Sequence, residues 1–464
     1  MIGVNDTKMY SNLLLFKFKN FELEYPAELS EILSFSENIG EYKELEILNT
    51  LGRSEYRKIF VLGLGSTEEF NSVRLLKALG SSIKSLKSTI KELDIYDNLH
   101  EDLGYIIGQA LEMSLYKFSG IKQNEDKVLL QNINIISSYK DSINNGLIVG
   151  NAVNYVRQIV NLPSNYVTPK FMAQQAEAIA KDENLDIAVI DKYKLEQMGM
   201  NSILYVGKGS LHSPRLIVMQ YFGDALSKDI TALIGKGVTF DSGGITLKPG
   251  KGMERMVSDM AGAASVLGVM KVLNHLKPKK NVLALIPVVE NMPSGSSYKP
   301  GDVITTYSGK TVQVISTDAE GRLILCDAIT YAKELGATNI IDIATLTGSC
   351  AQFLGGINAG LLSNSDELSK KIINSGTEAG ENFWRLPHNS EYLEQLKTDS
   401  ADLKNTGTSC GAIVAGLFLQ SFAEDVNFAH LDIAGCAGSS SGSDIFDSGA
   451  TGMPTRTLIQ LLMK

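Results

Sequence analysis

The apolar residues of the first 140 positions predict a strand followed by a helix. The run Lys58–Leu64 (KIFVLGL) has the length and apolar character of a buried strand. A helix is predicted over Ser72–Ile95, because six apolar residues within it recur at helical spacing. These are Leu75, Leu76, Leu79, Ile83, Leu86 and Ile90. A strand joined to a helix in this way indicates a small α/β domain.

A second helix is predicted over Asp141–Val160, and it is the candidate connector between two domains. Its apolar residues lie on one face, and Pro163 restricts the residue before it and ends the pattern. We therefore expect an N-terminal α/β domain, residues 1–140, and a larger domain, residues 141–464, that begins with this connecting helix.

Beyond residue 160, apolar strands and helices alternate along the chain. The candidate strands are Thr231–Ile234, Val282–Val289, Asn339–Ile343 and Phe428–Ile433, and the candidate helices are Ala263–Leu276 and Arg322–Leu335. This alternation predicts an α/β fold whose mixed sheet is covered by helices on both faces. Function is expected in the Gly-rich loops that follow the strands.

Composition narrows the range of possible functions. With 44% apolar and 20% charged residues, the 464-residue chain is neither disordered throughout nor collagen nor a coiled-coil rod. Its 52 acidic and 43 basic side chains sum to −9, which disfavours nucleic acid as a partner. The four cysteines contain no Cys-x-x-Cys pair and fit a reducing cytosol. Neither a signal-peptide layout nor an apolar run of about 18 residues occurs, so we expect a cytoplasmic protein outside membranes.

One cluster of charges lies in Ser316–Leu323 (STDAEGRL). Asp318, Glu320 and Arg322 are two positions apart, so in an extended segment all three would point to the same side. Burying two carboxylates and a guanidinium beside apolar runs is costly without a purpose. A solvated edge strand is the alternative interpretation.

Two further clusters follow predicted secondary structure. In Gly235–Pro249 (GKGVTFDSGGITLKP), Lys236 stands between two glycines, Asp241 heads a Ser-Gly-Gly turn, and Lys248 follows. The alternative is a strand-end turn with solvated charges. Asp259 precedes a predicted helix, where a carboxylate is often only a cap.

Together, Asp241, Asp259, Asp318 and Glu320 carry a charge of −4, which two divalent cations would neutralise. Paired ions of this kind lie roughly 3.5–4 Å apart. Ligation by oxygen without His or Cys favours Mn²⁺ or Mg²⁺, with Zn²⁺ feasible. Lys248 and Arg322 would then meet negative charge that develops in a reaction. A two-metal phosphatase is one alternative function, since carboxylate pairs also serve phosphoryl transfer.

Seven longer motifs resemble the leucine aminopeptidase (cytosol aminopeptidase) family. They are Asn161–Pro169 (NLPSNYVTP), Gly235–Pro249, Asp259–Ala264 (DMAGAA), Glu290–Asp302 (ENMPSGSSYKPGD), Ser316–Leu323, Asp342–Gly348 (DIATLTG) and His430–Gly435 (HLDIAG). They cover about residues 150–464 in the expected order, whereas the first 140 residues match only loosely.

The resemblance implies an N-terminal α/β domain, a connecting helix and a catalytic domain, assembled as a homohexamer. It implies removal of N-terminal residues, leucine and others, from peptides with a free N-terminus. Two divalent ions per subunit, Mn²⁺ or Zn²⁺, would activate a bridging hydroxide. Some bacterial relatives also bind DNA, so an architectural or DNA-binding oligomer with secondary catalysis is the alternative function.

The resemblance also implies a role for each site residue. Lys236, Asp241, Asp259 and Glu320 would hold one metal, and Asp241, Asp318 and Glu320 the other, with Asp241 and Glu320 bridging. Lys248 would polarise the scissile carbonyl, and Arg322 would hold a bicarbonate ion that acts as general base. Met256, Thr345 and Gly348 would line the pocket for the first side chain.

Three positions depart from the family pattern. Ser316 stands where the family usually has an Asn that helps to bind substrate, so substrate affinity is expected to differ. Val257 replaces a frequent Lys or Arg, and Ala261 adds a methyl group where some members have Gly.

Overall fold

The computed structural model describes residues 1–37, 39–99, 101–123 and 128–464. The chain forms two compact units. The first comprises Met1–Asn154 with Ser440–Ser448, and the second comprises Tyr155–Ser439 with Gly449–Lys464.

The first unit is built on a six-stranded sheet in the order β1-β6-β5-β2-β4-β3, parallel except for β3. Its strands are β1 (Ile2–Asn5), β2 (Asn12–Lys17), β3 (Leu45–Asn49), β4 (Lys58–Gly63), β5 (Glu92–Tyr96) and β6 (Asn132–Ile136). Its helices are α1 (Ser30–Leu33), α2 (Ser72–Leu86), α3 (Gly104–Leu115) and the start of α4 (Lys140–Asn161), which continues into the second unit. Strand β4 confirms the strand predicted over Lys58–Leu64, and α4 confirms the helix predicted over Asp141–Val160.

The helix predicted over Ser72–Ile95 is wrong beyond Leu86. Helix α2 ends at Leu86, and the chain turns and enters β5 at Glu92. Leu93 and Ile95 are fully buried in that strand, between β2 and β6. Pairing with two parallel neighbours overrides the local helical spacing here.

The second unit is built on a nine-stranded mixed sheet. Its main path is β16-β15-β18-β14-β9-β11-β8-β7, and β10 pairs with β11. The strands of this unit are β7 (Asp186–Ile190), β8 (Arg215–Phe222), β9 (Ile230–Gly235), β10 (Gly237–Asp241), β11 (Asn281–Asn291), β12 (Val303–Thr305), β13 (Thr311–Gln313), β14 (Asn339–Ala344), β15 (Asn358–Ser363), β16 (Asn382–Arg385), β17 (Leu403–Lys404), β18 (Asn427–Asp432), β19 (Gly438–Ser439) and β20 (Gly449–Ala450).

Helices cover this sheet, and helices and strands both contribute to its core. They are α5 (Pro169–Glu183), α6 (Lys192–Met198), α7 (Asn201–Gly207), α8 (Ala261–Met270), α9 (Leu273–Leu276), α10 (Glu320–Glu334), α11 (Gly348–Leu354), α12 (Asp366–Ala379), α13 (Gly411–Ala423) and α14 (Thr455–Leu462). The predicted α/β class is confirmed, and the four predicted strands correspond to β9, β11, β14 and β18. The predicted helix Ala263–Leu276 is two helices, α8 and α9.

Helix α8 packs unusually close to the sheet. A Cβ atom added to Gly262 would lie 2.0 Å from the carbonyl oxygen of Ile343 in β14, so no larger residue fits at this position. Every residue of α8 is buried. The stretch Met253–Leu276 is apolar and long enough to be a candidate membrane span, but 78% of its most apolar window is buried inside the protein. This burial is typical of a helix in a protein core.

Candidate metal centre

The predicted ligands meet at the carboxyl edge of the large sheet. Lys236 follows β9, Asp241 ends β10, and Asp259 directly precedes the residues that start α8. Glu320 is the first residue of α10, with Asp318 in the turn before it. Because β9 and β10 both run parallel to β11, their carboxyl ends open at the same edge, where α/β proteins usually bind ligands.

Three of the carboxylates form a buried cluster suited to a cation. Asp241, Asp259 and Glu320 each offer one oxygen, and these oxygens lie within 4.8 Å of one another. Glu320 is 2% exposed, and its Oε2 has no hydrogen-bond partner among the described residues. A buried carboxylate oxygen without a donor is costly, so the cluster fits a bound metal ion.

Lys236 lies inside this cluster. Its Nζ is 2.8 Å from Asp259 Oδ2 and 2.9 Å from Glu320 Oε1. It also donates to the carbonyl oxygen of Thr345 at 2.8 Å. A Cβ atom on Gly321 would lie 2.5 Å from Lys236 Cε, so the glycine leaves room for the lysine side chain. Burial lowers the pKa of Lys236, but Asp259 and Glu320 outweigh it and raise the pKa above the ordinary value.

Lys248 neutralises the other side of the carboxylate group. Its Nζ lies 2.7 Å from Asp241 Oδ2 and 2.5 Å from Asp318 Oδ1. Its side chain is 22% exposed, so this lysine lies at the solvent-facing side of the site, whereas Lys236 is enclosed. Burial lowers the pKa of Lys248, and Asp241 and Glu320 raise it by more.

The two lysines do not balance the charge of the site. With all four carboxylates ionised, they and the two ammonium groups give −4 + 2 = −2. Burial raises the pKa of Asp259 to about 8 and that of Asp318 to about 6, and it also raises the pKa of Asp241. Burial opposes ionisation of Glu320 too, but Lys236 and Lys248 lower its pKa. The residual negative charge is what a multivalent cation would neutralise.

Two residues orient the ligand carboxylates. Asn291, at the end of β11, donates its amide to Asp241 Oδ1 at 2.8 Å and to the carbonyl oxygen of Thr317 at 3.0 Å. Thr345 donates its hydroxyl to Asp259 Oδ1 at 2.7 Å. Partners of this kind fix the direction of a ligand oxygen. Asn291 was missed as a site residue, although it lies in the motif Glu290–Asp302.

Arg322 is buried in the first turn of α10. Its Nη1 donates to the carbonyl oxygen of Asn405 at 2.8 Å, whereas its Nε has no partner among the described residues. Burial lowers the pKa of Arg322 to about 10 against the opposing effect of Glu320 and Asp432. The guanidinium can therefore bind a small anion. Within the described chain it forms no ion pair with the four carboxylates.

The predicted pocket residues surround the cluster to different degrees. Thr345 contacts Asp259 directly, and the carbonyl oxygen of Met256 accepts the N–H of Asp259 at 3.4 Å. Gly348 begins α11 and is exposed. Ser316 accepts the N–H of Asp318 on its hydroxyl at 3.2 Å. Ala261 is 3% exposed, so its methyl group is packed inside the protein.

The predicted extended geometry of Ser316–Leu323 is wrong. Thr317 and Asp318 form a turn, and Glu320 and Arg322 belong to α10, where residues two apart diverge around the axis. Asp259 is also not a helix cap, since α8 has no side-chain cap and Asp259 contacts Lys236 and Thr345 instead. The charges converge because the ends of β9 and β10, the turn at Asp318 and the starts of α8 and α10 meet, which a spacing of two residues could not indicate.

Metal uptake is expected to depend on pH. Without metal, Asp259 and Asp318 hold protons up to about pH 8 and about pH 6, and a cation must displace them. Apparent affinity for Mn²⁺ should therefore rise with pH across this window, about tenfold per pH unit for each proton released. Titration calorimetry in two buffers of different ionisation enthalpy counts these protons. An affinity that stays constant from about pH 6 to 8, with no proton release, would contradict the assigned pKa values.

Known protein families match both parts of the chain. Residues 154–459 match the catalytic domain of the cytosol aminopeptidase family, and residues 1–125 match the N-terminal domain of the same family. The chain is 40% identical to the probable cytosol aminopeptidase of Alkaliphilus metalliredigens over 93% of its own length and 90% of that protein. It is 39% identical to the protein of the same description from Alkaliphilus oremlandii, over 96% and 92% of the two chains.

A solved structure has the same fold. The bottromycin maturation enzyme BotP in complex with Mn superposes with a TM-score of 0.88 at 27% identity, covering 98% of this chain and 99% of that one. The matches in sequence and in fold thus extend over nearly the whole chain. The protein belongs to the cytosol aminopeptidase family and is a metal-dependent aminopeptidase, an exopeptidase that hydrolyses peptides.

Proposed function

We propose that the protein removes N-terminal residues, leucine among others, from peptides by means of two divalent ions, Mn²⁺ or Zn²⁺. The observation that carries this proposal is the buried group of Asp241, Asp259 and Glu320, with Asp318 joined to it through Lys248. When bound, the two ions would lower the pKa of water to near neutral pH and would hold the free α-amine of the substrate.

The ligands are divided between the two ions in this proposal. Lys236, Asp241, Asp259 and Glu320 hold the first ion, and Asp241, Asp318 and Glu320 hold the second. Lys236 must lose its proton in order to coordinate, and its surroundings favour the ammonium form in the absence of metal. Cations nearby reverse that preference. Met256, Thr345 and Gly348 line the pocket for the first side chain of the substrate.

Lys248 and Arg322 act on the reacting groups. Lys248 lies at the more open side of the carboxylates, where its ammonium can donate to the carbonyl oxygen of the scissile bond and stabilise the oxyanion. Arg322 would hold a bicarbonate ion, which would supply a general base for the attacking water. The buried Nε of Arg322, which has no partner within the described chain, supports an anion at this position.

The proposal extends to organisation and location. We divide the chain into an N-terminal α/β domain, residues 1–140, and a catalytic domain with its connecting helix, residues 141–464. The protein is proposed to be a homohexamer in the cytoplasm. Relatives are described as cytosol aminopeptidases, and Cys326, Cys350 and Cys436 are buried as free thiols. Sedimentation of the purified protein tests the hexamer, which a stable and active monomer would exclude.

Chelation is expected to abolish activity, and Mn²⁺, Zn²⁺ or Co²⁺ should restore it. The test is hydrolysis of a panel of aminoacyl amides after treatment with a chelator and after reconstitution with each metal. The matched control for every amide is its N-acetylated form, which lacks the free amine and should not be hydrolysed. Full activity in protein shown to be free of metal, or equal hydrolysis of the acetylated amides, would refute the proposed function.

A further inference from the structure

A buried carboxylate outside the metal cluster joins two loops that lie beside the cluster. Asp432, the last residue of β18, is fully buried and forms no ion pair with any described residue. Its Oδ1 accepts the backbone N–H groups of Leu346 at 3.2 Å, Thr347 at 3.4 Å and Ala434 at 3.2 Å. Its Oδ2 accepts the hydroxyl of Thr347 at 2.6 Å. The hydrogen bonds that Asp432 accepts from these loops therefore all come from neutral donors.

The two loops follow neighbouring parallel strands. Ala344 ends β14 and pairs with Asp432 across the sheet, and the N–H of Ile433 continues the ladder to the carbonyl oxygen of Ala344 at 2.9 Å. Beyond that bond, the carboxylate of Asp432 links the chain after β14 to the chain after β18. This carboxylate thus helps to fix the position of one loop relative to the other.

The loop after β14 reaches the metal cluster and the proposed pocket. Its residue Thr345 binds Lys236 through the carbonyl oxygen and Asp259 through the hydroxyl. Thr347, which donates to Asp432, also accepts the N–H of Cys350 at 3.1 Å and caps the start of α11, where Gly348 lies. A Cβ atom on Gly348 would meet no heavy atom within 4 Å, so packing on that side does not hold the residue in place.

We propose that Asp432 is a positioning residue that determines which N-terminal side chain the enzyme prefers. This inference rests on the proposed function, in which Thr345 and Gly348 line the pocket. Asp432 touches neither substrate nor metal in this proposal, and it acts by holding the loop Thr345–Gly348 in register with the loop after β18. Both oxygens of the carboxylate accept, whereas in Asp432→Asn the amide oxygen could keep the N–H groups but the NH2 group would replace Oδ2, so the Thr347 hydroxyl could no longer donate there.

The test compares Asp432→Asn with Asp342→Asn, a matched control. Asp342 lies on β14, is equally buried, and pairs with His430 at 2.7 Å. The described structure shows no hydrogen bond from its side chain to either loop. The measurement is the ratio of kcat/KM for leucyl amide to that for alanyl amide, with metal content read alongside. We expect this ratio to move roughly tenfold toward one in Asp432→Asn at unchanged metal content, since displacing a pocket residue by about 1 Å has large kinetic effects. Asp342→Asn should keep the wild-type ratio.

A second pair of variants covers the case in which Asp432→Asn does not fold. Thr347→Val removes the hydroxyl that donates to Asp432, and Thr347→Ser retains it. Thr347→Val should shift the kcat/KM ratio in the same direction as Asp432→Asn, and Thr347→Ser should keep the wild-type ratio. If thermal stability falls while the ratio stays at its wild-type value in Thr347→Val and in any folded Asp432→Asn, Asp432 is only structural and the inference is overturned. A wild-type enzyme that hydrolyses no free-amine amide would overturn the proposed function itself, which is a distinguishable result.

Discussion

Replacing Glu320 with alanine is expected to remove most of the bound metal and nearly all aminopeptidase activity. Glu320 is assigned to both ions, and its carboxylate is enclosed at the start of α10 beside Lys236. Losing a residue that merely orients a ligand typically costs about 10–100-fold in metal affinity, so losing a ligand shared by two ions should cost more. Elemental analysis of the purified variant, read beside its kcat for leucyl amide, measures both effects.

The control for this variant is Glu334→Ala. Glu334 ends the same helix, is exposed, and accepts the hydroxyl of Tyr307 at 2.6 Å, away from the carboxylate cluster. Metal content and kcat should stay at the wild-type level there. Circular dichroism checks that Glu320→Ala folds. We expect it to fold, because Lys236 keeps its contact with Asp259 in that variant. Two fully occupied metal sites in folded Glu320→Ala would exclude a bridging role for Glu320.

Replacing Lys248 with alanine should impair catalysis while metal stays bound. Lys248 is assigned to the oxyanion, and its side chain is partly exposed, so truncation leaves no buried cavity. Removing one donor that stabilises developing charge typically lowers kcat by about 10²–10³, or roughly 3–4 kcal/mol. The loss should lie mainly in kcat, because the contact strengthens in the transition state.

The control is Lys251→Ala, in the same loop and exposed. That variant should retain normal kcat and KM. Asp241 and Asp318 lose a cationic neighbour in Lys248→Ala, so metal binding there should be undiminished or tighter. A near-normal kcat in Lys248→Ala, or a loss of metal as large as in Glu320→Ala, would show that the division of roles between the two residues is wrong.

The candidate site residues came from the sequence, but their arrangement did not. Charged residues beside glycines at strand ends, and their agreement with long family motifs, were enough to select Lys236, Asp241, Asp259 and Glu320. The expected extended face of Ser316–Leu323 was wrong, because α10 begins inside that motif at Glu320. Asn291 and Asp432 lie in the motifs Glu290–Asp302 and His430–Gly435 but were not singled out, since only the folded structure shows what their side chains contact.

The sequence by itself determined the family, the α/β class and the central strands of the large sheet. Apolar runs bounded by glycine are local signals, and the motifs are contiguous, so both can be recognised without coordinates. Tertiary structure decided which charges meet. The pairs Asn291–Asp241 and Asp432–Thr347 are 50 and 85 residues apart, and they form because parallel strands bring their carboxyl ends to one edge. Tertiary pairing likewise made Glu92–Tyr96 a strand, since burial between β2 and β6 stabilises it more than local helical spacing does.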